Sequence, residues 1–348
     1  MAPLRIALLG AGYAGRIQLE GWRTVPGVEV VGLWNRTAER AHTLGAELGV
    51  PVFEDVDALI THPDVDAVDV ATAFETHRDL ALRAAAAGKH VLCQKPLAPT
   101  YEESAAIVDG CRRAGVRLMV NENWRWRPWY RAVRRVLDTR ALGTPFWLRL
   151  SLRTDATVAT PDRPPDRLFA QQPFMRTMNP LIMMEIGPHH FDVVRYLFGD
   201  PGGVYARTVK VSPHVAGDDV AAAFLEYPDR TAIVELSWHA IGYTSDRSKR
   251  LHPDELLVEG TEASLALRDD GQIHLAHRDG RRETVPVDTE NGYRRSWRDA
   301  LAHFAECLHT GAKFETTGED NLTTLRLVFD AYESARTGQP VRRGQGSD

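Results

Sequence analysis

A glycine-rich turn follows the apolar run Leu4–Leu9 directly. Glycine at position 10 permits a sharp turn, glycine at position 12 lets the backbone approach a pyrophosphate, and glycine at position 15 lets a helix pack closely on the strand. A helix is predicted from Tyr13 to about Arg23, and its N-terminus adds unpaired N–H groups and the positive end of a dipole. This order of strand, turn and helix favours a dinucleotide site over a glycine turn without a ligand. The candidate cofactor contacts are Gly10, Gly12, Tyr13, Ala14 and Gly15.

Lys95 is a candidate for stabilising charge on a reacting oxygen. It follows a predicted buried strand, and Pro96 biases its backbone toward an extended conformation. We therefore expect its side chain at the edge of a sheet, where it could donate a hydrogen bond to a substrate hydroxyl and stabilise a developing alkoxide. The alternative is a solvated surface lysine, which the position directly after a strand makes less favoured.

His189 is a candidate general base. It lies in the first turn of a predicted helix, where Pro188 is well placed and the positive helix end favours the neutral imidazole that a base requires. Glu185 could accept a hydrogen bond from the second ring nitrogen and fix the tautomer. The alternative is a capping or core histidine. His190 is interpreted as a packing residue or a substrate contact, and because further ligands at metal spacing are lacking, no metal site is predicted.

Several segments resemble those of the Gfo/Idh/MocA oxidoreductases. Residues 91–98, VLCQKPLA, resemble the Glu-Lys-Pro segment of that family, and residues 185–192, EIGPHHFD, resemble its Asp-x-Gly-x-His-x-x-Asp segment. Residues 72–77 resemble its Pro-x-x-x-His segment, and residues 318–320 and 332–335 resemble its closing helix. The resemblance covers nearly the whole chain. It implies an NAD(P)-dependent oxidoreductase that moves hydride between a carbinol carbon and nicotinamide, with the catalytic residues Lys95, His189 and Glu185.

Three shorter segments resemble a narrower branch, the D-apiose dehydrogenases, which oxidise a branched aldopentose to its lactone with NAD. They are residues 34–37, 93–96 and 121–126. This resemblance implies a sugar as substrate. Two alternatives stay open: an enzyme that oxidises a glycoside transiently and eliminates its aglycone, and a non-catalytic nucleotide-sensing regulator. The regulator would not need Lys95 and His189 together.

Two residues depart from the family pattern. Gln94 stands where a glutamate usually precedes the lysine, and it can still hydrogen-bond a ribose hydroxyl although it carries no charge. Glu185 stands where an aspartate is usual and is one methylene longer. Both changes are conservative enough to retain dehydrogenase chemistry.

The end of the second strand bears on the choice of coenzyme. An acidic residue there, about 20 residues after the glycines, would bond the 2′-hydroxyl of NAD. This chain has Asn35, which can also bond the hydroxyl, beside Arg36, which could hold the 2′-phosphate of NADP or stack on adenine. These two residues lean slightly toward NADP, whereas the resemblance to the narrower branch implies NAD. We expect NAD as the cofactor, with NADP as the alternative. The resemblance adds further cofactor contacts at Thr72, His77, Gln94 and Lys95.

Candidate substrate contacts follow the last strand of the first domain and lie in or near a later insert. Aromatic faces suit sugar C–H groups and arginines suit hydroxyls, although Trp126 fits core packing equally well. The insert over residues 154–180 is rich in proline and arginine and has little periodicity, and long loops in compact domains are often functional. The predicted substrate contacts are Asn121, Trp124, Arg125, Arg153, Arg176 and His190, with Phe174 beside them.

Alternating strands and helices must position these residues. The first 120 residues alternate apolar runs with helical segments, which implies βαβ units and a parallel, doubly wound sheet. Right-handed crossovers bring the loops after the strands to one edge, which carries the glycine turn, Asn35, Thr72, Lys95 and Asn121. Strands are expected at residues 4–9, 28–33, 52–53, 65–71, 90–93 and 117–120.

The pattern changes after residue 143. Period-two alternation and short turns then predict an α+β domain on a large, mostly antiparallel sheet. The expected fold class is α/β, with a Rossmann dinucleotide-binding domain over residues 1–122 and a substrate-binding and oligomerisation domain over residues 123–348. A closing helix over residues 319–336 is expected to pack back on the first domain.

The antiparallel sheet has predicted helices for only one face. The strand at residues 231–238 carries apolar residues in both phases, including Ile233 and Val234. We expect Val234, Leu236 and Trp238 on the uncovered face, with a second copy of the chain packed over them. The sequence therefore predicts a homodimer or homotetramer joined through this sheet.

Composition excludes several classes of protein. The 348 residues are 43% hydrophobic and 26% charged, as is ordinary for a globular protein. A net charge of −5 without a long basic run argues against a nucleic-acid partner, and no apolar run approaches the roughly 20 residues of a membrane span. The cysteines at 93, 111 and 307 lack metal spacing and fit a reducing cytoplasm, and a strand from residue 4 leaves no room for a signal peptide.

Overall fold

A computed structural model describes residues 2–159, 169, 172–241, 254–268 and 271–343. The chain divides into two compact units, one combining Met1–Trp126 with Arg294–Leu325 and the other combining Arg127–Tyr293 with Arg326–Asp348. The boundary expected after residue 122 lies close to the end of the first stretch. Residues 294–325, which the sequence analysis placed in the second domain, belong to the first unit. The closing helix, Gly318–Thr337, contributes residues to both units.

The first unit is built on a five-stranded parallel sheet. Its strands are β1 (Leu4–Leu9), β2 (Val28–Trp34), β3 (Ala67–Val70), β4 (His90–Gln94) and β5 (Leu118–Asn121), in the spatial order β2-β1-β3-β4-β5. The helices between them are α1 (Tyr13–Trp22), α2 (Ala38–Leu48), α3 (Val56–Ile60), α4 (His77–Ala86) and α5 (Tyr101–Arg113). The strand order reverses at β1, so the carboxyl ends of β1 and β3 form the switch point where doubly wound sheets bind ligands. The predicted fold of this unit is confirmed.

The prediction of a strand at residues 52–53 is wrong in its extent. Only a single bridge joins Val52 to Leu33 of β2. Pro51 has no N–H group to donate, so the pairing does not extend toward it. Two backbone bonds hold the segment beside β2, from Leu33 N–H to the Pro51 carbonyl at 2.8 Å and from Phe53 N–H to the Leu33 carbonyl at 2.9 Å.

Two apolar cores flank this sheet. One joins Trp22 of α1 to Leu301 and Phe304 of a late helix, Gly292–Thr310, which we number α9. The rings of Trp22 and Phe304 meet edge to face at 6.1 Å. The other core joins Leu19 of α1 to Leu44 of α2 and residues of β1 and β2. Helix α1 therefore packs against both groups and fixes the glycine turn that precedes it.

The second unit is built on a nine-stranded sheet. Its strands are β6 (Pro145–Arg153), β7 (Gly203–Val209), β8 (Val220–Glu226), β9 (Thr231–Ser237), β10 (Asp254–Gly260), β11 (Ala263–Leu267), β12 (Ile273–His277), β13 (Arg282–Val285) and β14 (Val341–Arg342). Their spatial order is β13-β12-β11-β10-β6-β9-β8-β7-β14. Neighbours pair antiparallel except β6 and β9, which are parallel. The predicted large, mostly antiparallel sheet is confirmed.

Helices of the second unit cover one face of this sheet. They include α6 (Pro128–Asp138), α7 (Ile182–Glu185) and α8 (Gly187–Phe198). The closing helix, Gly318–Thr337, is numbered α10. Helices α7 and α8 both contact β9. Val234 and Leu236 of β9 and Trp238 after it are at most 4% exposed. The expectation that these three residues lie on the uncovered face is therefore wrong, because the chain's own helices bury their phase of the strand; Ile233 and Glu235 point to the other face.

Across the ranges that the structure describes, none of the helices is both long and apolar enough to cross a bilayer.

Candidate active site

The glycine turn joins β1 to α1 and leaves open space beside Gly12. Gly10 has a φ of 120°, and a Cβ atom there would lie 2.4 Å from the carbonyl oxygen of Ala71. A Cβ atom at Gly15 would lie 2.0 Å from the carbonyl oxygen of Gly10. Around a Cβ added at Gly12, by contrast, no described atom lies within 4 Å. Two glycines thus close the turn, while the third leaves room for a phosphate.

The N-terminus of α1 suits an anion. Within the described part of the chain, no side chain caps this helix and no residue of its first turn is acidic. The unpaired N–H groups and the positive dipole end are therefore not neutralised by the protein itself. Together with the open space at Gly12, these features fit the pyrophosphate of a dinucleotide.

Asn35, directly after β2, is hydrogen-bonded to the glycine turn. Its Oδ1 accepts a hydrogen bond from the N–H of Ala11 at 3.0 Å, and its Nδ2 donates to the carbonyl of Thr37 at 2.9 Å. Arg36 beside it is exposed. The structure thus brings the predicted ribose-side residues next to the turn and shows that Asn35 also braces it.

His77 braces the segment that follows Lys95. The imidazole is 1% exposed. Its Nε2 lies 3.2 Å from the carbonyl oxygen of Thr72, and its Nδ1 lies 3.2 Å from that of Pro96. Burial lowers the pKa of His77 to about 4, although the carbonyl contacts act in the opposite direction. His77 therefore lies between the end of β3 and the residue after Lys95, and in its neutral form it donates to one of the two carbonyls and contacts the other.

Amide side chains meet where β4 and β5 end. Gln94 is the last residue of β4 and Asn121 the last of β5, and the two are paired in register. Gln94 Nε2 and Asn121 Nδ2 both donate to Oε1 of Gln18 on α1. Lys95 follows Gln94 and is half-buried. The structure therefore brings three predicted site residues together at the carboxyl edge of the sheet.

A buried carboxyl group, Asp69 on β3, lies behind these amides. Gln18 Nε2 and Trp22 Nε1 each donate to it at 2.7 Å. Burial raises the pKa of Asp69 to about 7, while the two hydrogen bonds act to lower it. Neither Gln18 nor Asp69 is among the site residues predicted from the sequence. A signal was present, because each is a polar residue in an otherwise apolar stretch, where it has to be hydrogen-bonded.

Arg125 and its neighbours are built into the first unit. The guanidinium is 6% exposed, donates to the carbonyl of Glu315 at 3.0 Å and pairs with Asp320 at 3.1 Å. Trp124 is 5% exposed. The ring of Trp126 lies 5.4 Å from that of His303, as expected for a core residue. These contacts give Arg125 a structural partner beside its predicted role in substrate binding.

The predicted base and its orienting acid lie close along the chain in the second unit. Glu185 ends α7 and is 9% exposed, and His189 lies in the first turn of α8 behind Pro188 and is 5% exposed. His190 is fully buried, and its Nδ1 lies 3.1 Å from the carbonyl oxygen of Ile186. Burial and this contact favour the packing interpretation of His190. No group of three or more potential metal ligands occurs among the described residues.

Asp218 and Tyr332 hold α7 in place. The Tyr332 hydroxyl accepts from the N–H of Met183 at 2.9 Å and donates to Asp218 at 3.1 Å. Asp218 also accepts from the N–H of Leu181 at 3.0 Å. Burial raises the pKa of both side chains. Neither residue is predicted as a site residue from the sequence, although both fix the short helix that ends at Glu185.

Arg153 and Arg176, the two arginines predicted as substrate contacts near the insert, contact an acidic residue and an aromatic ring. Arg153 ends β6 and faces Glu235 at 3.5 Å, in the strand phase opposite to the one that α8 covers. The Arg176 guanidinium lies 5.1 Å from the centre of the Phe169 ring. Phe174 is 44% exposed. Much of the insert, residues 160–168, 170 and 171, lies outside the described residues.

Two family models match the chain. A model described as an oxidoreductase family with an NAD-binding Rossmann fold matches residues 4–122, and a model of the GFO/IDH/MocA C-terminal domain matches residues 130–266. The chain is 36% identical to a D-apiose dehydrogenase of Paraburkholderia graminis over 96% of this chain and 88% of that protein. The chain belongs to the Gfo/Idh/MocA oxidoreductase family.

Further Gfo/Idh/MocA relatives agree over the full length. A D-apiose dehydrogenase of Rhizobium rhizogenes is 31% identical over 99% of both chains. The crystal structure of an oxidoreductase from Agrobacterium radiobacter, in complex with NAD+, L-tartaric acid and magnesium, has a TM-score of 0.89 at 29% identity and covers 98% of each chain. The resemblance to this family inferred from the sequence is confirmed, and it extends over nearly the whole chain.

Family membership identifies the chain as an enzyme of the oxidoreductase class and its first unit as an NAD-binding domain. The open space at Gly12 and the uncapped N-terminus of α1 fit the coenzyme's pyrophosphate. NAD supplies a hydride acceptor when it is bound.

Proposed function

We propose that this Gfo/Idh/MocA enzyme is an NAD-dependent sugar dehydrogenase, with oxidation of D-apiose to its lactone as the first reaction to test. The observation that carries the proposal is a coenzyme-binding turn in the same chain as Lys95 directly after β4 and His189 in the first turn of α8. The names of similar relatives support a sugar or a closely related polyol, since they include D-apiose, scyllo-inositol and D-xylose dehydrogenases.

The proposed chemistry removes a hydride and a proton from one carbinol group. His189 takes the hydroxyl proton, and Glu185 orients its imidazole through the other ring nitrogen. Lys95 donates a hydrogen bond to the same oxygen and stabilises its developing negative charge. The carbon loses hydride to the nicotinamide and becomes a carbonyl, so that one NADH and one proton leave for each sugar oxidised.

The proposed cofactor contacts are the glycine turn, Asn35 with Arg36, Thr72 and Gln94. Because Oδ1 of Asn35 accepts from Ala11 and its Nδ2 donates to Thr37, the side chain is held beside the turn where a ribose would lie. An uncharged residue at this place tolerates a 2′-hydroxyl without repelling a 2′-phosphate. NAD is the proposed coenzyme because the matching family model is described as NAD-binding and the Agrobacterium radiobacter structure is a complex with NAD+; NADP is the alternative.

A screen of aldoses, inositols and glycosides with NAD and with NADP tests this function, followed at the NADH absorbance. We expect NADH formation with D-apiose or a related aldose. Release of aglycone without net NADH would instead identify the glycoside-eliminating alternative. Coenzyme binding without turnover of any sugar would contradict the proposal.

We also propose that the enzyme is a homodimer or homotetramer joined through the uncovered face of the second unit's sheet. Phe224 of β8 is paired with Ile233 of β9, which is paired with Arg149 of β6, so the three lie in one row across this face. Phe224 is 44% exposed, and Arg149 pairs with Glu235 at 2.6 Å. Apolar residues beside an ion pair on one exposed face suit a self-complementary interface.

The cytoplasm is the proposed location. Cys93, Cys111 and Cys307 are free and buried. Burial raises the pKa of Cys111 to about 12 and also raises that of Cys93. Unreactive, reduced thiols fit a reducing compartment.

A further inference from the structure

Five side chains form one buried hydrogen-bonded network in the first unit. Trp22 and Gln18 of α1 donate to Asp69 of β3, and Gln94 and Asn121 donate to Gln18. Four of the five are fully buried, and Gln94 alone retains exposure, at 5%. The only member with access to a ligand is therefore the residue that directly precedes Lys95.

Asp69 fixes the orientation of the Gln18 amide. An indole N–H only donates hydrogen bonds, and both oxygens of the Asp69 carboxyl accept one in the structure. Trp22 Nε1 donates to one oxygen of Asp69 and Gln18 Nε2 donates to the other, both at 2.7 Å, so the amine of Gln18 faces Asp69. Its carbonyl oxygen, Oε1, then faces the ends of β4 and β5.

Gln18 in turn fixes two further amides. Its Oε1 accepts from Gln94 Nε2 and from Asn121 Nδ2, which uses both lone pairs of that oxygen. Oδ1 of Asn121 is left buried and without a hydrogen-bond partner among the residues described. Asn121 thus donates to Gln18 while its own acceptor stays without a partner, as expected if Gln18 sets the orientation.

We infer that Gln18, held by Asp69, is the positioning residue that makes Gln94 a hydrogen-bond acceptor for a hydroxyl group of the bound coenzyme. With Nε2 of Gln94 bound to Gln18, Oε1 is the atom left for a ligand. A free glutamine would present its amine or its oxygen, whereas a carboxylate, which the family usually has here, accepts from either oxygen. Gln18 therefore compensates for the missing carboxylate. This inference rests on the proposed coenzyme contact of Gln94 and not on the identity of the sugar.

Substitution of Gln18 by Met tests the inference through NADH binding measured by calorimetry. Methionine is similar in length but makes no amide hydrogen bond, so Gln94 is free to turn. We expect NADH to bind about tenfold more weakly, as for one lost hydrogen bond. Leu19→Met is the matched control, since Leu19 is a fully buried neighbour on the same helix, and we expect its NADH affinity to be unchanged.

The deciding variant adds Gln94→Glu to Gln18→Met. A carboxylate accepts hydrogen bonds in either orientation and can also accept from Asn121, so we expect NADH affinity within about threefold of the native value. Gln94→Glu alone sets a carboxylate oxygen against Gln18 Oε1 and is expected to bind NADH weakly. Each substitution thus relieves the other, which a purely structural role of Gln18 would not produce.

The inference would be overturned if Gln18→Met weakened NADH binding by the same factor in the native protein and in the Gln94→Glu variant. If Gln18→Met lowers the melting temperature too far for binding studies, Asp69→Asn replaces it. In Asp69→Asn the side-chain oxygen accepts from Trp22, and the new amine faces Gln18. The Gln18 amide then turns over to accept from that amine, and its own amine faces Gln94. Gln94 turns its oxygen toward Gln18 and presents its amine to the coenzyme. The same weak binding and the same rescue by Gln94→Glu are then expected. Native NADH affinity in Asp69→Asn would contradict the inference, whereas loss of sugar oxidation with intact binding would bear only on the proposed function.

Discussion

Nδ1 of His77 lies 3.2 Å from the carbonyl oxygen of Pro96, the residue directly after Lys95. Through its other nitrogen the same ring contacts the carbonyl of Thr72 at 3.2 Å. The proposed polarising lysine is thus followed by a backbone segment that a buried imidazole ties to the end of β3. Burial lowers the pKa of His77 to about 4, so the ring is neutral near pH 7 and donates its one N–H to one of the two carbonyls.

The first prediction concerns the stability of this brace against acid. The unfolded chain takes up a proton on His77 near its usual pKa of about 6.5, whereas the folded chain does so only near 4. The stabilisation is therefore present above the unfolded pKa and is lost as the pH falls toward the folded one. Between about pH 7.5 and pH 5 we expect a loss on the order of 2 kcal/mol in the free energy of unfolding that His77→Phe does not show. Urea unfolding at both pH values measures it, and equal losses in the two proteins would contradict the assignment.

The second prediction separates catalysis from coenzyme binding. Lys95→Ala and His189→Ala should each lower turnover by at least about 100-fold, because one removes charge stabilisation and the other the base. NADH affinity should remain largely intact. The matched controls are Lys313→Ala and His309→Ala, which alter exposed residues of the same types and should leave turnover unchanged. Near-native turnover in either site variant would show that its assigned role is wrong.

The third prediction concerns coenzyme preference. In Asn35→Asp, one carboxylate oxygen keeps the bond from Ala11 while the charge repels a 2′-phosphate. We expect the ratio of kcat/KM for NAD over NADP to rise by roughly tenfold. Loss of the donated bond to Thr37 should also lower the free energy of unfolding by about 1 kcal/mol. Arg36→Ala is the companion variant, and it should weaken NADP alone if this arginine holds the phosphate. An unchanged ratio in Asn35→Asp would mean that Asn35 does not line the adenosine ribose.

The sequence was sufficient to predict the first sheet, because β1, β3, β4 and β5 are apolar runs separated by helical segments. Two helices that it did not assign, Pro128–Asp138 and Gly292–Thr310, show what was harder. The second of them packs Phe304 against Trp22. Local periodicity can indicate a helix in that stretch, but it does not say which sheet the helix joins.

The candidate site shows the same limit. The glycine turn and the residues at strand ends follow from local pattern, and the structure brings Gln94 and Asn121 together as the strand-end rule implies. The hub of their hydrogen bonds, Gln18, is 76 residues from Gln94 and 103 from Asn121 along the chain. No local pattern joins such positions. Alternation along β9 likewise predicts which residues share a face of the strand, but it does not predict which of the two faces the helices cover.

The last prediction tests assembly through the uncovered sheet face. Phe224→Glu places a charge in the row formed with Ile233 and Arg149, where burial against a second copy would leave it unpaired and costly. We expect light scattering to show the native enzyme as a dimer or tetramer at micromolar concentration and Phe224→Glu as a smaller species. Phe146→Glu is the matched control, since Phe146 is 45% exposed against 44% for Phe224 but lies in the strand phase of the covered face. A native monomer, or equal dissociation by both variants, would contradict assembly through this face, because only Phe224 belongs to the row that the interface has to cover.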